Sequence, residues 1–374
     1  MRGARLSGLI VSAVFAVGVA APWPAWAAQV TAPPDAAASS RVTVPQATAY
    51  SHSPAGATVA ALPAPVPCDS TAGPCWHPQV DSRWQYQLQG SINSSGQCIY
   101  PATGFINTNI TGTSFATGLP VAPVVFDTDI YQDGKCYTPN NYGVLNNVAF
   151  NALHAMGDKV IGYIDAGTAE TWRPDYPQYQ SFNASCGGCL FGKPVSHFRD
   201  EYWLNINTDV YGINPNTGQR ESAQQFIIDE LAARLDKAKS VGADAIEFDD
   251  VDAYQNKTGL TISAATQGQY NATIANLAHS VGFTVGLKND VGQVNDLQPY
   301  FDFSINEQCW QYKECNYPPP GLQAWPSSYG KAVFNVEYKL KAANFCPQAD
   351  SPSYNFNSIL KDYNLYDVPY TPCR

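Results

Sequence analysis

The chain is poor in charge, and poorest in positive charge. Asp, Glu, Lys and Arg together make up only 14% of its 374 residues, and 21 basic side chains stand against 31 acidic ones. A net charge of −10 argues against nucleic acid as a partner, because phosphates are met by a basic surface. The same field attracts a cation, and an acidic cleft would concentrate one. Histidine is scarce: the five present are scattered and show no metal-ligand spacing. No Gly-x-Ser-x-Gly and no His-Glu-x-x-His occurs, so serine hydrolases and zinc proteases lack their signatures. No Gly-rich phosphate turn follows a β-rich run, which disfavours a doubly wound nucleotide fold. Past the first residues, no segment is long and apolar enough to span a membrane.

What is present begins with a leader. Arg2 and Arg5 precede an apolar run, Leu9 to Ala21, and Ala25-Trp26-Ala27 offers small-x-small processing. This pattern predicts a signal peptide over 1–27 and a secreted, extracellular product. Residues 28–79, rich in Ala, Pro and Thr, read as a flexible linker, with order beginning between Cys68 and Trp84. Residues 80–374 read as one folded domain. Ten cysteines in an exported chain imply disulfides. Close pairs are Cys68–Cys75, Cys186–Cys189 and Cys309–Cys315, which leaves Cys98–Cys136 and Cys346–Cys373 as a pairing of the rest.

Eight β-rich runs recur: Trp84–Leu88, Val124–Asp129, Lys159–Asp165, Tyr202–Asn207, Ala245–Asp250, Thr284–Asn289, Phe303–Gln308 and Val333–Tyr338. Between them lie helical segments. The clearest has a capping box at Ser222 and Gln225, apolar residues at helical spacing from Ile227 to Ala238, and a stop at Gly242. Asn271 to Ser280 reads as another. Alternating strands and helices imply a parallel sheet, and this domain length suits an α/β fold of the TIM-like (β/α)8 barrel type. A ninth run, Leu365–Tyr370, exceeds what such a barrel needs.

The runs end in acids and other polar groups: Asp127 and Asp129; Asp165, followed by Glu170; Glu247, Asp249, Asp250 and Asp252; Lys288 and Asn289; Glu307; Glu337. In a barrel these ends converge on one cup. Glu247 and Asp249, two apart on a strand, share a face. Crowded carboxylates suit a hard cation such as calcium, but the Asp/Asn and Gly spacing of a calcium loop is missing. They equally suit glycoside hydrolysis, which needs one carboxyl to protonate the leaving oxygen and another to attack or to activate water.

The ordered runs Val125-Phe-Asp-Thr-Asp129, Tyr163-Ile-Asp-Ala-Gly-Thr-Ala-Glu-Thr-Trp-Arg173, Ala245-Ile-Glu-Phe-Asp-Asp-Val-Asp-Ala-Tyr254, Gly286-Leu-Lys-Asn289, Asn306-Glu-Gln-Cys309 and Phe334-Asn-Val-Glu-Tyr338 resemble the endo-α-1,4-polygalactosaminidase family, glycoside hydrolase family 114, over about residues 80–370. The resemblance implies a TIM-like barrel that cleaves α-1,4-linked galactosamine in microbial exopolysaccharide. By that match Asp249 is the nucleophile and Glu307 the acid/base. Asp250 stands where the family commonly has Asn, which adds a negative charge beside the nucleophile. The expected partner is a cationic polysaccharide. Asp127, Asp129, Asp165, Glu170, Glu247, Asp250, Asp252 and Glu337 are the candidates to bind its ammonium groups. Tyr163, Trp172, Tyr254, Trp310 and Tyr338 are the candidates to stack on its rings. Lys288 would pair with Asp249 or Glu247, and Arg173 with Glu170; Asn289 completes the set. A monomer with no cofactor and no metal is expected. The competing readings are a non-catalytic carbohydrate-binding protein on the same barrel, a hydrolase of a neutral α-glycan, and a metal-dependent hydrolase.

Overall fold

The computed structural model describes residues 61–68, 75–93, 95–99, 106–132, 136, 143–196 and 198–374. The expected signal peptide, and the linker up to residue 60, lie outside the described residues. Residues 61–68 and 75–79, on the linker side of the expected boundary, are held against the barrel. Val66 N–H donates to Asn276 Oδ1 at 2.8 Å, Asn276 Nδ2 donates to Ala64 O at 2.9 Å, and Thr284 Oγ1 donates to Trp76 O at 2.7 Å.

The strands that matter for the site are β1 (Trp84–Tyr86), β2 (Val125–Asp129), β3 (Lys159–Asp165), β4 (Thr168–Glu170), β5 (Phe191–Val195), β6 (Phe198–Leu204), β7 (Ala245–Asp249), β8 (Thr284–Lys288), β9 (Phe303–Glu307), β10 (Val333–Glu337), β11 (Asn357–Lys361) and β12 (Tyr370–Pro372). The main sheet runs β1-β2-β3-β7-β8-β9-β10-β11-β12. Every neighbouring pair from β1 to β11 is parallel, and β12 turns back antiparallel on β11. Helices α1 (Asn147–Met156), α2 (Ala223–Val241) and α3 (Ala264–Ser280) cover the early crossovers, and shorter helices the later ones. This is the TIM-like barrel expected from the alternation.

Two strand assignments from the sequence are corrected. Tyr202–Asn207 is not a barrel strand. Tyr202 and Trp203 pair with Ala169 and Thr168 in a separate antiparallel sheet of order β4-β6-β5 that rises beyond β3. The missing barrel strand is Asn357–Lys361, whose polar ends conceal it, and Leu365–Tyr370 is loop up to its last residue. The helices follow their signals. Ser222 Oγ caps α2 by accepting from Gln225 N–H at 3.1 Å, and Gly242 ends it at φ 85°. Helix α3 starts seven residues earlier than its apolar pattern, at a second serine cap, where Ser263 Oγ accepts from Thr266 N–H at 3.0 Å. All five expected cysteine pairs are disulfides.

The seam between β1 and β11 is closed by side chains. Trp84 Nε1 donates to Asn357 O at 2.7 Å, and Gln85 Nε2 to Asp367 O at 2.9 Å. Lys361, buried, donates to Gln85 Oε1 at 2.9 Å, Tyr366 O at 2.5 Å and Asp367 O at 3.1 Å. Burial pulls its ammonium down to about 7, and neutral oxygens alone face its hydrogen atoms. Lys361→Met removes one donor from each of these acceptors, and Asp367 O keeps Gln85 Nε2. We expect it to lower the unfolding free energy by about 3 kcal/mol in denaturant titration; an unchanged midpoint would show that the seam holds without it.

Candidate active site

Consecutive barrel strands β7, β8 and β9 end on Asp249, Lys288 and Glu307. The next residue in each case, Asp250, Asn289 and Gln308, takes the left-handed conformation at φ 55°, 49° and 64°. Asp and Asn adopt it more readily than most residues. Each corner turns the chain outward directly after a functional side chain. The first corner is tightly packed: a Cβ on Gly167 would lie 1.8 Å from Asp250 O, so only glycine fits there.

Lys288 is the hub of the cup. Its Nζ lies 2.9 Å from Asp249 Oδ1, 3.4 Å from Glu247 Oε1 and 3.5 Å from Glu307 Oε2, and it donates to Tyr86 OH at 3.2 Å. Burial alone would lower its affinity for the proton; the surrounding carboxylates more than reverse this and hold it well above the usual lysine range. Burial pushes the Asp249 carboxyl up, but Lys288, the Asp250 N–H at 2.8 Å and the Tyr163 hydroxyl at 2.9 Å pull it below its ordinary value. Asp249 is therefore ionised. Glu307 is more open to solvent; its Oε1 accepts from Tyr338 OH, and its backbone N–H donates to Asn289 Oδ1 at 2.9 Å.

Beneath this pair, Asp127 and Glu247 are fully buried. Tyr86 OH donates to Glu247 Oε1 at 3.0 Å, while Glu247 Oε2 and both oxygens of Asp127 have no donor. The two carboxyls face each other, and burial followed by their mutual repulsion pushes Asp127 well up. Burial pushes Glu247 up too, to about 7, against the pull of Lys288. A proton on Asp127 resolves the conflict, because it lets one acid donate to the other.

Two walls rise from this floor around a cavity of about 890 Å³. One is acidic. Asp129 and Glu170 clamp Arg173, with Arg173 Nη1 and Nη2 at 2.9 and 2.8 Å from the Asp129 oxygens and Nη2 at 2.8 Å from Glu170 Oε1. Beside them, carboxylate oxygens of Asp165, Glu201 and Asp250 gather within 4.8 Å of one another, close enough to hold a cation. Asp165 already accepts from Gly167 N–H at 3.0 Å, Thr168 N–H at 2.8 Å and the Thr168 hydroxyl, which leaves it little to offer a metal ion. Burial, then Glu170, Asp165 and Asp249, push Glu201 up to about 10. Burial, then Asp165, Asp249 and Glu201, push Asp250 well up. Tyr163 and Trp172 line the same cavity, with Lys257 exposed at its edge. The other wall carries Tyr363, Leu365, Tyr366 and Leu88 and adds no carboxylate to the lining.

Of the residues singled out from sequence, Asp129, Tyr163, Glu170, Trp172, Arg173, Asp249, Asp250, Lys288, Asn289 and Glu307 line the cavity. Asp165 supports the acidic wall from behind, and Asp127 and Glu247 form the floor. Tyr338 acts from one layer back, through Glu307. Four lie apart from the cavity lining. Asp252, pushed up to about 6 by burial and Asp249, accepts from Asn256 Nδ2 at 2.8 Å. Tyr254 OH donates to Asp290 Oδ1 at 3.0 Å. Glu337 is fully buried, accepts the Trp310 N–H at 3.0 Å and is pushed up to about 7 by burial. Trp310 packs on Tyr354 and Phe356. Sequence reasoning missed Glu201, Trp203, Tyr86 and Tyr363. Tyr86, inside the first β-rich run, and Trp203, inside the fourth, carried a signal.

Eight parallel strands that deliver an ionised aspartate and a second, more open glutamate to one cation at their carboxyl ends define a barrel glycoside hydrolase. The model of glycoside-hydrolase family GH114 matches residues 67–374, and the chain belongs to that family. The crystal structure of Aspergillus fumigatus Ega3 in complex with galactosamine is 24% identical over 81% of this chain and 100% of that chain, with a TM-score of 0.57. The glycoside hydrolase domain of PelA from Pseudomonas aeruginosa is 10% identical over 78% of this chain and 98% of that chain, with a TM-score of 0.47. A comparison with curated proteins finds no match.

The acidic wall makes stability depend on pH. A carboxyl that binds its proton more tightly folded than unfolded contributes stability at low pH and loses it as pH rises through its folded value. For Glu201 that loss runs from about pH 5 upward towards its raised value. The melting temperature of the free protein should therefore fall between about pH 5 and pH 9, and fall less in Glu201→Gln. Equal slopes for the two proteins would show that Glu201 is not strained by its neighbours.

Proposed function

We infer that the protein is a secreted, endo-acting hydrolase of α-1,4-linked galactosamine polymer, with Asp249 as nucleophile and Glu307 as acid/base. The observation that carries this reading is the bridging of Asp249 and Glu307 by Lys288 Nζ, at 2.9 and 3.5 Å. The two oxygens facing that nitrogen are at most about 6.4 Å apart, under the roughly 6.5–9.5 Å typical of inverting pairs. That spacing supports retention. Asp249, kept ionised, attacks the anomeric carbon of the sugar on its side while Glu307 delivers its proton to the departing oxygen. The C1–O bond breaks as a C1–Oδ ester forms. Glu307 then takes a proton from water, whose oxygen displaces Asp249. Lys288 positions both acids and offsets the charge that returns to Asp249.

The substrate class follows from charge. Galactosamine without its acetyl group is an ammonium at moderate pH, and the Asp165–Glu201–Asp250 group supplies acceptor oxygens where a cation would relieve mutual repulsion. Galactosamine is also the sugar seen with Ega3. The five disulfides and the absence of a membrane-spanning helix among the described residues are consistent with work outside the cell. A cavity of about 890 Å³ suits endo action on a polymer by a single copy of the chain.

Asp249→Asn and Glu307→Gln should each reduce the release of reducing ends from galactosamine polymer by about 10³-fold with an unchanged circular dichroism spectrum. Substantial activity in either variant removes the assignment. The anomer first formed, followed by NMR, should be α; a β product places the pair among inverting enzymes.

A further inference from the structure

The two walls of the cleft differ in what they ask of a sugar. At the Glu307 end stands Tyr363, 51% exposed. Its ring meets that of Tyr338 edge-on, with centroids 5.3 Å apart and planes at 73°. Tyr338 in turn bonds Glu307 through its hydroxyl. Tyr363 is thus braced one ring away from the acid/base, with a face left open to the cavity. Tyr312, 57% exposed, ends the short helix that follows the Glu307 strand. It and Glu307 both lie near enough to Tyr363 to disfavour ionisation of its hydroxyl, after burial. The loop's own carboxylate is engaged within the loop: Asp362 Oδ1 accepts Asn364 N–H at 2.8 Å and Oδ2 accepts Tyr366 N–H at 3.2 Å. An exposed ring, supported from behind and flanked by Leu365, fits the apolar face of a sugar and asks for no charge.

On the inferred mechanism, the two walls fall on opposite sides of the scissile bond. Asp249 bonds to C1 of the sugar that becomes the new reducing end, and the carboxyls next to Asp249 on that side are Asp250 and, gathered with it, Glu201. Glu307 protonates the oxygen that leaves with the other sugar, which lies towards Tyr363. Resting on the function inferred above, we propose that the cleft requires a free amine only on the side that keeps the new reducing end. Tyr363, with Tyr312 beside it, is then the platform for the leaving sugar, which it accepts with or without an N-acetyl group.

The experiment uses partly N-acetylated α-1,4-galactosamine oligosaccharides of known sequence, with products read by tandem mass spectrometry after digestion in ¹⁸O water to mark the new reducing ends. New reducing ends should be galactosamine almost without exception, while new non-reducing ends carry acetyl groups as often as the substrate does. Acetyl groups equally frequent at both new ends, or excluded from both, overturn the proposal. If no galactosamine oligosaccharide is cleaved, the inferred function itself fails and this proposal with it. Tyr363→Ala should raise KM roughly three- to tenfold with little change in kcat, and Tyr363→Trp should restore it. An unchanged KM in Tyr363→Ala rules Tyr363 out as the platform.

Discussion

One buried ammonium organises the catalytic half of this molecule. Lys288 Nζ lies within 3.5 Å of oxygens from Asp249, Glu247 and Glu307. Removing charges from water is costly unless each finds a partner, and here one cation must serve several anions. The result is a ranking. Asp249, with the closest contact and two further donors, keeps its charge. Glu247, at 3.4 Å, is left near neutrality at about 7 and leans on a protonated Asp127 below. Glu307 is the most open of the three to solvent. The different duties of chemically similar groups follow from their distances to one nitrogen and from their exposure.

Beyond the hub, the acidic wall has the same problem with no cation to spare. The guanidinium of Arg173 is already shared between Asp129 and Glu170. Asp165, Glu201 and Asp250 must hold protons or borrow a positive charge. A substrate ammonium would supply it and release protons as it binds, so that affinity weakens as acidity rises. Glu201 owes its place to the β4-β6-β5 sheet, an excursion that belongs to no barrel strand and leans over the cup beyond β3. On the function proposed above, the barrel supplies the bond-breaking pair, and the excursion supplies part of the means of choosing what is broken.

Much of this was legible in the sequence, for a definite reason. In a parallel barrel every strand delivers its last residue to the same rim, so Asp129, Asp165, Asp249, Lys288 and Glu307 could be gathered without knowing any loop. The same logic misplaced Tyr202–Asn207, where aromatic and β-branched residues served a hairpin rather than the barrel. It also overlooked Asn357–Lys361. A strand that begins Asn-Ser and ends in Lys reads as surface, yet Asn357 and Lys361 are buried and Lys361 spends its donors closing the seam. Trp310 and Tyr254 sit close to acids in sequence but turn to neighbours outside the cup. Glu201, Trp203 and Tyr363 arrive from the excursion and from a late loop, where no periodic pattern announces a destination.

The left-handed corners at Asp250, Asn289 and Gln308 separate two kinds of inheritance. Upstream of each corner, the aim of a side chain is set by strand register, which tolerates no insertion without turning every residue to the opposite face. Downstream, the chain has already left the barrel, and its length is free of that register. The segments that follow Asp250 and Gln308 run for more than ten residues before the next helix of substantial length or the next strand. A lineage built on this frame can lengthen, shorten or exchange its rim loops, and with them its taste in polymers, while the catalytic atoms keep their appointment at the centre.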